Sequence, residues 1–126
     1  MTDNIADDSI AFIAGGMVTM VSVGLYETII SFDGSGQGES GGGSIRINGD
    51  YHLMHAGEEI PPEPTGFPSP SWVCDLNGDT IKSATIADGN VLTIAFSRGD
   101  KIVIWPNPTD CETAVIDGPN RLTLVL

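Results

Sequence analysis

Basic residues are what this sequence most lacks. Of 126 residues only five are Lys or Arg, against seventeen Asp or Glu, for a formal net charge of −12. A field of that sign repels nucleic acid and anionic membrane surfaces and attracts basic partners. Cysteine is nearly as scarce. Cys74 and Cys111 are too few for a disulfide framework and read as reduced thiols, with a single bridge between them left open. The first eight residues hold no base ahead of an apolar run, so no secretory signal is expected and the reading is cytoplasmic. The apolar stretch over residues 10–23 is too short for a membrane span and is interrupted by Gly15, Gly16, Thr19 and Ser22.

Catalytic groupings are also missing. There is no Gly-x-Ser-x-Gly elbow, and the two histidines, His52 and His55, have no thiol or carboxylate partner near them in the chain. On a strand their spacing sends them to opposite faces, and no third ligand is close, so no metal site is expected. The acids fall mostly on turns, which leaves no glycosidase-like pair. Gly36-Gln37-Gly38-Glu39-Ser40-Gly41 fits G-x-G-x-x-G after a strand, but a strand follows it and Glu39 would repel a pyrophosphate. The same loop starts like a calcium loop at Asp33, yet Ser44 stands where a bidentate Glu is required. The expectation is a protein without enzymatic activity, cofactor or metal.

What the chain does have is turns and short apolar alternations. Sixteen glycines and eight prolines, with 40% hydrophobic residues, favour an all-β fold over a disordered acidic tail. The clearest segment is residues 91–105. Leu92, Ile94 and Phe96 alternate with Thr93, Ala95 and Ser97, and Ile102 and Ile104 resume the alternation after Ser97-Arg98-Gly99-Asp100. This predicts a β-hairpin, with Arg98-Gly99-Asp100 serving as turn residues and not as a recognition tripeptide.

The same order of features occurs earlier in the chain. Ile30 and Phe32 match Ile94 and Phe96, Ile45 and Ile47 match Ile102 and Ile104, and Ile13 to Val18 matches Leu76 to Ile81. The chain therefore reads as a single all-β domain, with minor helical turns, built of two tandem hairpin repeats in a small sandwich or barrel. Repeat one covers about residues 9–57, a proline-rich connector 58–70, and repeat two about 71–126. Met17 to Val23 is predicted as a strand with Val18, Met20 and Ser22 on one face. The five prolines of the connector exclude helix and central strand from it.

Charge is uneven along the chain. Residues 1–70 hold ten acids and one base, Arg46, a balance of −9, while residues 71–126 hold seven acids and four bases, a balance of −3. The candidate partner-binding residues follow from the acidic loop and strap, with aromatic anchors beside them: Asp33, Glu39, Glu58, Glu59, Glu63, Phe67, Trp72 and Asp75. Tyr26 and Trp105 are further anchor candidates.

The second repeat carries a pattern made of Gly78 and Ile81, then Leu92, Ile94, Phe96, Gly99, Ile102 and Ile104, then Glu112, Gly118 and Pro119. It resembles small bacterial β-rich immunity-like domains associated with polymorphic toxin systems. The chain departs from that family's signature where Cys111 stands for a Tyr and Ala114 for a Trp. The resemblance implies an antitoxin that binds a cognate, basic toxin or effector protein and blocks its active site. The alternatives are a structural module, including a homodimer formed through sheet edges, and a small-ligand-binding β domain.

Overall fold

The computed structural model describes residues 13–24, 27–33, 42–48, 51–61, 68, 70–87, 90–105, 114–118 and 123–125. The chain is mostly β, as its composition predicts. Strands β1 (Met17–Val23), β2 (Thr28–Asp33), β3 (Gly43–Ile47), β4 (Tyr51–His55) and β5 (Glu58–Ile60) precede a short helix, α1 (Pro70–Cys74). After it come β6 (Ile81–Ala87), β7 (Val91–Phe96), β8 (Asp100–Ile104), β9 (Ala114–Asp117) and β10 (Thr123–Val125). Among the described residues they form two antiparallel five-stranded sheets, ordered β1-β2-β3-β9-β10 and β5-β4-β8-β7-β6, without closing into a barrel. The inward side chains of both sheets join in one buried cluster that includes Ile30, Phe32, Ile45, Ile47, Ile94, Phe96, Ile102 and Ile104.

The strand orders hold a reciprocal exchange. Each sheet takes three strands from one half of the chain and its last two from the other. Ile45 and Ile47 of β3 pair with Ile116 and Ala114 of β9, while Ile102 and Ile104 of β8 pair with Leu53 and Tyr51 of β4. Equivalent positions share their burial: Ile13 and Leu76, Ile30 and Ile94, and Ile45 and Ile102 are all fully buried.

The junction between the halves is reciprocal as well. Gly15 N–H donates to the Ile81 carbonyl at 2.7 Å and Gly78 N–H to the Val18 carbonyl at 2.8 Å. Both glycines have left-handed φ, 90° and 86°, which any side chain would make costly. The equivalent residues Met17 and Thr80 pair with each other, so an approximate two-fold axis runs between them.

Two expectations are corrected. Strict alternation fails in β1 because the β1–β2 register shifts between Val18 and Met20. The bulge at Thr19 leaves Val18 buried and turns Met20 out, 56% exposed, while Val21 and Val23 pack on the core. The second repeat has its bulge at the same place, between Ile81 and Ser83. The other correction concerns the 58–70 connector. Its first residues form β5, joined to β4 by a two-residue turn in which Ala56 and Gly57 have φ of 54° and 86°. Its last residue, Pro70, opens α1, a position where a missing N–H costs nothing. The prolines do limit β5 to three residues at a sheet edge.

A buried polar contact lies beneath the exchanged strands. Tyr51 Oη and Thr28 Oγ1 are 2.9 Å apart, with both residues almost fully buried. Desolvation raises the Tyr51 phenol pKa above its ordinary value; the Thr28 hydrogen bond partly offsets this, and nearby Cys74 adds to the rise. The native state therefore holds the phenolic proton more tightly than the unfolded chain does. Stability from this group is fully present below the unfolded tyrosine pKa, about 10, and is lost as pH rises from there toward the higher native value. Tyr51→Phe should flatten that alkaline loss while costing about 1–2 kcal/mol at neutral pH, because Thr28 loses its partner. Urea unfolding across the alkaline range checks both.

Candidate functional site

The β4–β5 hairpin collects the chemically distinctive side chains. In β4, Tyr51 and Leu53 face the core, so His52 and Met54 face outward. His52 Nδ1 lies 2.8 Å from Glu59 Oε1 of the neighbouring edge strand. The Trp105 ring, just past the end of β8, stands edge-on to His52 at 4.7 Å between centroids. At the far end of β4, His55 Nδ1 lies 2.5 Å from Asp100 Oδ1, the first residue of β8, directly across the ladder. The Trp72 ring lies tilted against His55 at 5.0 Å. Glu58 is the β5 residue paired with His55.

Helix α1 places Trp72 there. Val73 is its buried anchor and Leu76, in the following turn, is fully buried, which leaves Trp72 and Asp75 facing out. The turn between β7 and β8 closes from the other side, with Gly99 N–H donating to the Phe96 carbonyl at 3.1 Å. Arg98 is held by two contacts. Its backbone N–H donates to the buried Asp79 carboxylate and its guanidinium Nη1 to the Asp75 carbonyl, each at 3.4 Å. A pocket of about 210 Å³ opens between these parts, lined by His55, Trp72, Asp75, Arg98 and Asp100.

Of the residues singled out from the sequence, Glu58, Glu59, Trp72 and Asp75 fall on or beside this hairpin. Asp33 does not; it is the exposed last residue of β2, in the other sheet. Glu39, Glu63 and Phe67 lie outside the described residues, as do Tyr26 and Cys111. Cys74 is an exposed free thiol. Sequence reasoning missed His52, His55, Arg98 and Asp100. The histidines do diverge to different faces, as their spacing predicts, but each meets a carboxylate from another strand. Asp100 pairs with His55 across 45 positions of chain, which no local pattern encodes. The Ala56-Gly57 turn, which would have revealed β5, lacks the usual Asn or Asp.

The approximate two-fold relation gives an internal comparison. In sheet register, Asp100 corresponds to Gly43 and His55 to Gly118. By the sequence match of Ile13 with Leu76, Trp72 corresponds to Ser9 and Asp75 to Phe12. Trp105 corresponds to Asn48 and His52 to Val115. The scaffold is built twice, whereas these side chains occur once.

Among the described residues no three His, Cys, Asp or Glu side chains gather as they would to hold a metal ion, and no helix is long and apolar enough to cross a membrane. No family model matches this chain, and no curated protein or solved structure is significantly similar to it.

Proposed function

We propose that this protein is a non-catalytic binding module that docks on a basic protein partner through the β4–β5 hairpin and the elements beside it, as an immunity protein covers a toxin domain. The observation that carries this reading is the pair of exposed tryptophans, Trp72 and Trp105, at the two ends of β4, beside histidines that point to different faces. The tryptophans are 37% and 47% exposed, each ring rests on a histidine of one strand, and Glu58, Glu59 and Asp75 border them. An exposed tryptophan anchored on a rigid strand suits the centre of an interface. Acids around it, within a chain of net charge −12, suit fast capture of a cationic surface. The resemblance of the second repeat to immunity-like domains points the same way and supplies the class of partner, a toxin or effector domain whose active site is blocked in the cytoplasm.

Co-expression with the product of the adjacent gene should rescue growth and give a complex that weakens as salt is raised. Trp105→Ala should weaken that complex by at least about thirtyfold, corresponding to 2 kcal/mol or more, while leaving the unfolding midpoint unchanged. Absence of both rescue and complex rejects the reading.

One observation favours an assembly role instead. Strand β1 is seven residues long, lies at a sheet margin, carries no charge, and turns Met17 and Met20 outward at 51% and 56% exposure. Such an edge can pair with a second copy. Light scattering of the isolated protein would then report a concentration-dependent dimer that needs no other partner.

A further inference from the structure

We propose that the pocket between α1 and the β7–β8 turn is a receptor for one cationic side chain, the lysine or arginine that the partner inserts; this rests on the basic-partner reading above. The pocket presents a half-open Trp72 ring as a floor for a cation, and tryptophan is the best of the aromatic rings for that purpose. Two acids, Asp75 and Asp100, line it as well. The Asp100 side chain is only 10% exposed and is fixed by His55, so it is already aligned and largely shielded from water. The lining residues include two acids against the single guanidinium of Arg98.

Arg98 is the one group that opposes a cation, and its placement accounts for it. Its guanidinium is drawn onto the turn after α1, donating to the Asp75 carbonyl and lying 3.5 Å from where a Cβ on Gly78 would stand. It forms one wall, and the guest is held on the Trp72 and Asp100 side. A volume of about 210 Å³ is enough for a single long side chain. The two-fold comparison adds an independent argument. His55 and Asp100 replace Gly118 and Gly43 of the other half in sheet register, and Trp72 matches Ser9 in sequence, so the His55–Asp100 pair and the Trp72 ring are not features of the repeated pattern.

The test uses the intact protein and small probes. Nα-acetyl-lysine methylamide and Nα-acetyl-arginine methylamide are titrated in, with the norleucine analogue and acetate as controls, and the two indole N–H signals are followed by NMR. The Trp72 signal should shift with the cationic probes and not with norleucine or acetate, while Trp105 stays still. Asp75→Asn, at an exposed position, should weaken probe binding by about threefold to tenfold. Arg98→Gln, which keeps a donor for the Asp75 carbonyl, should tighten it. A response to acetate, or weaker cation binding by Arg98→Gln, would mean an anion site and overturn the proposal. No Trp72 shift with any probe would overturn it as well. The two readings fail separately. Probe binding without any protein partner removes the partner reading and keeps the pocket. A partner held normally by Asp75→Asn and Trp72→Phe, but lost by Trp105→Ala, removes the pocket and keeps the partner.

Discussion

Phe96→Ala should destabilise the protein by about 3–5 kcal/mol, and Phe32→Ala by a matching amount. The two rings are 2% and 3% exposed and occupy equivalent places. Phe32 pairs with Val18 on one side of the junction and Phe96 with Ile81 on the other, each at the start of a bulge. Truncating either removes a large apolar side chain and leaves a cavity that two sheets with reciprocal backbone bonds cannot readily collapse to fill. A chain of this length has a total stability of roughly 6–19 kcal/mol, so one such loss is a large share of it. Urea unfolding followed by circular dichroism and by tryptophan fluorescence measures both variants. The two signals should move together, because the exchanged strands tie both sheets into one cooperative unit. A large loss for one phenylalanine and less than about 1 kcal/mol for the other would show that the two halves do not share a common core.

The second large effect lies at a glycine. Gly43 opens β3, where Phe32 pairs with it on one side and β9 runs along the other. A Cβ added there would overlap the backbone carbonyl oxygen of Asp117 and come within 2.9 Å of the Phe32 ring. Backbone cannot swing aside as a flexible side chain can. Gly43→Ala should therefore cost about 1–3 kcal/mol or more, paid by separation of β3 from β9. Hydrogen exchange locates the damage. The amides of Val115 and Ile116 should lose protection while those of β4, the equivalent exchanged strand in the other sheet, keep theirs. Equal loss in both sheets would mean general destabilisation and not a local clash.

Much of this architecture was legible from residue order. The alternation of Leu92, Ile94 and Phe96 gave both the strand and its buried face, because a pleated strand with one side in the core must repeat every second residue. Matching that pattern against Ile30 and Phe32 exposed the repeat. The errors came from local exceptions. The Thr19 bulge breaks the period that an alternation rule assumes, and proline counts hid an edge strand that ends where the prolines start.

The candidate site was half legible. Trp72, Glu58, Glu59 and Asp75 stood out because exposed acids and large aromatics are informative wherever they lie. His55, Arg98 and Asp100 did not, since nothing local separates a site residue from a turn residue. Arg98-Gly99-Asp100 is a turn, as its composition implies, and it is also one wall of the pocket.

The sequence by itself determined the all-β class, most of the strands and their inner faces, the duplicated pattern and the acidic charge. These depend on period, turn chemistry and composition, which are properties of neighbours along the chain. Only the tertiary structure decided that the last two strands of each half cross into the other half's sheet. That exchange sets β4 against β8, and so brings His55 to Asp100 and carries Trp72 and Trp105 to one hairpin. The physical reason is that ladder pairing between distant strands is chosen by the packing of whole faces, which no single stretch of residues encodes.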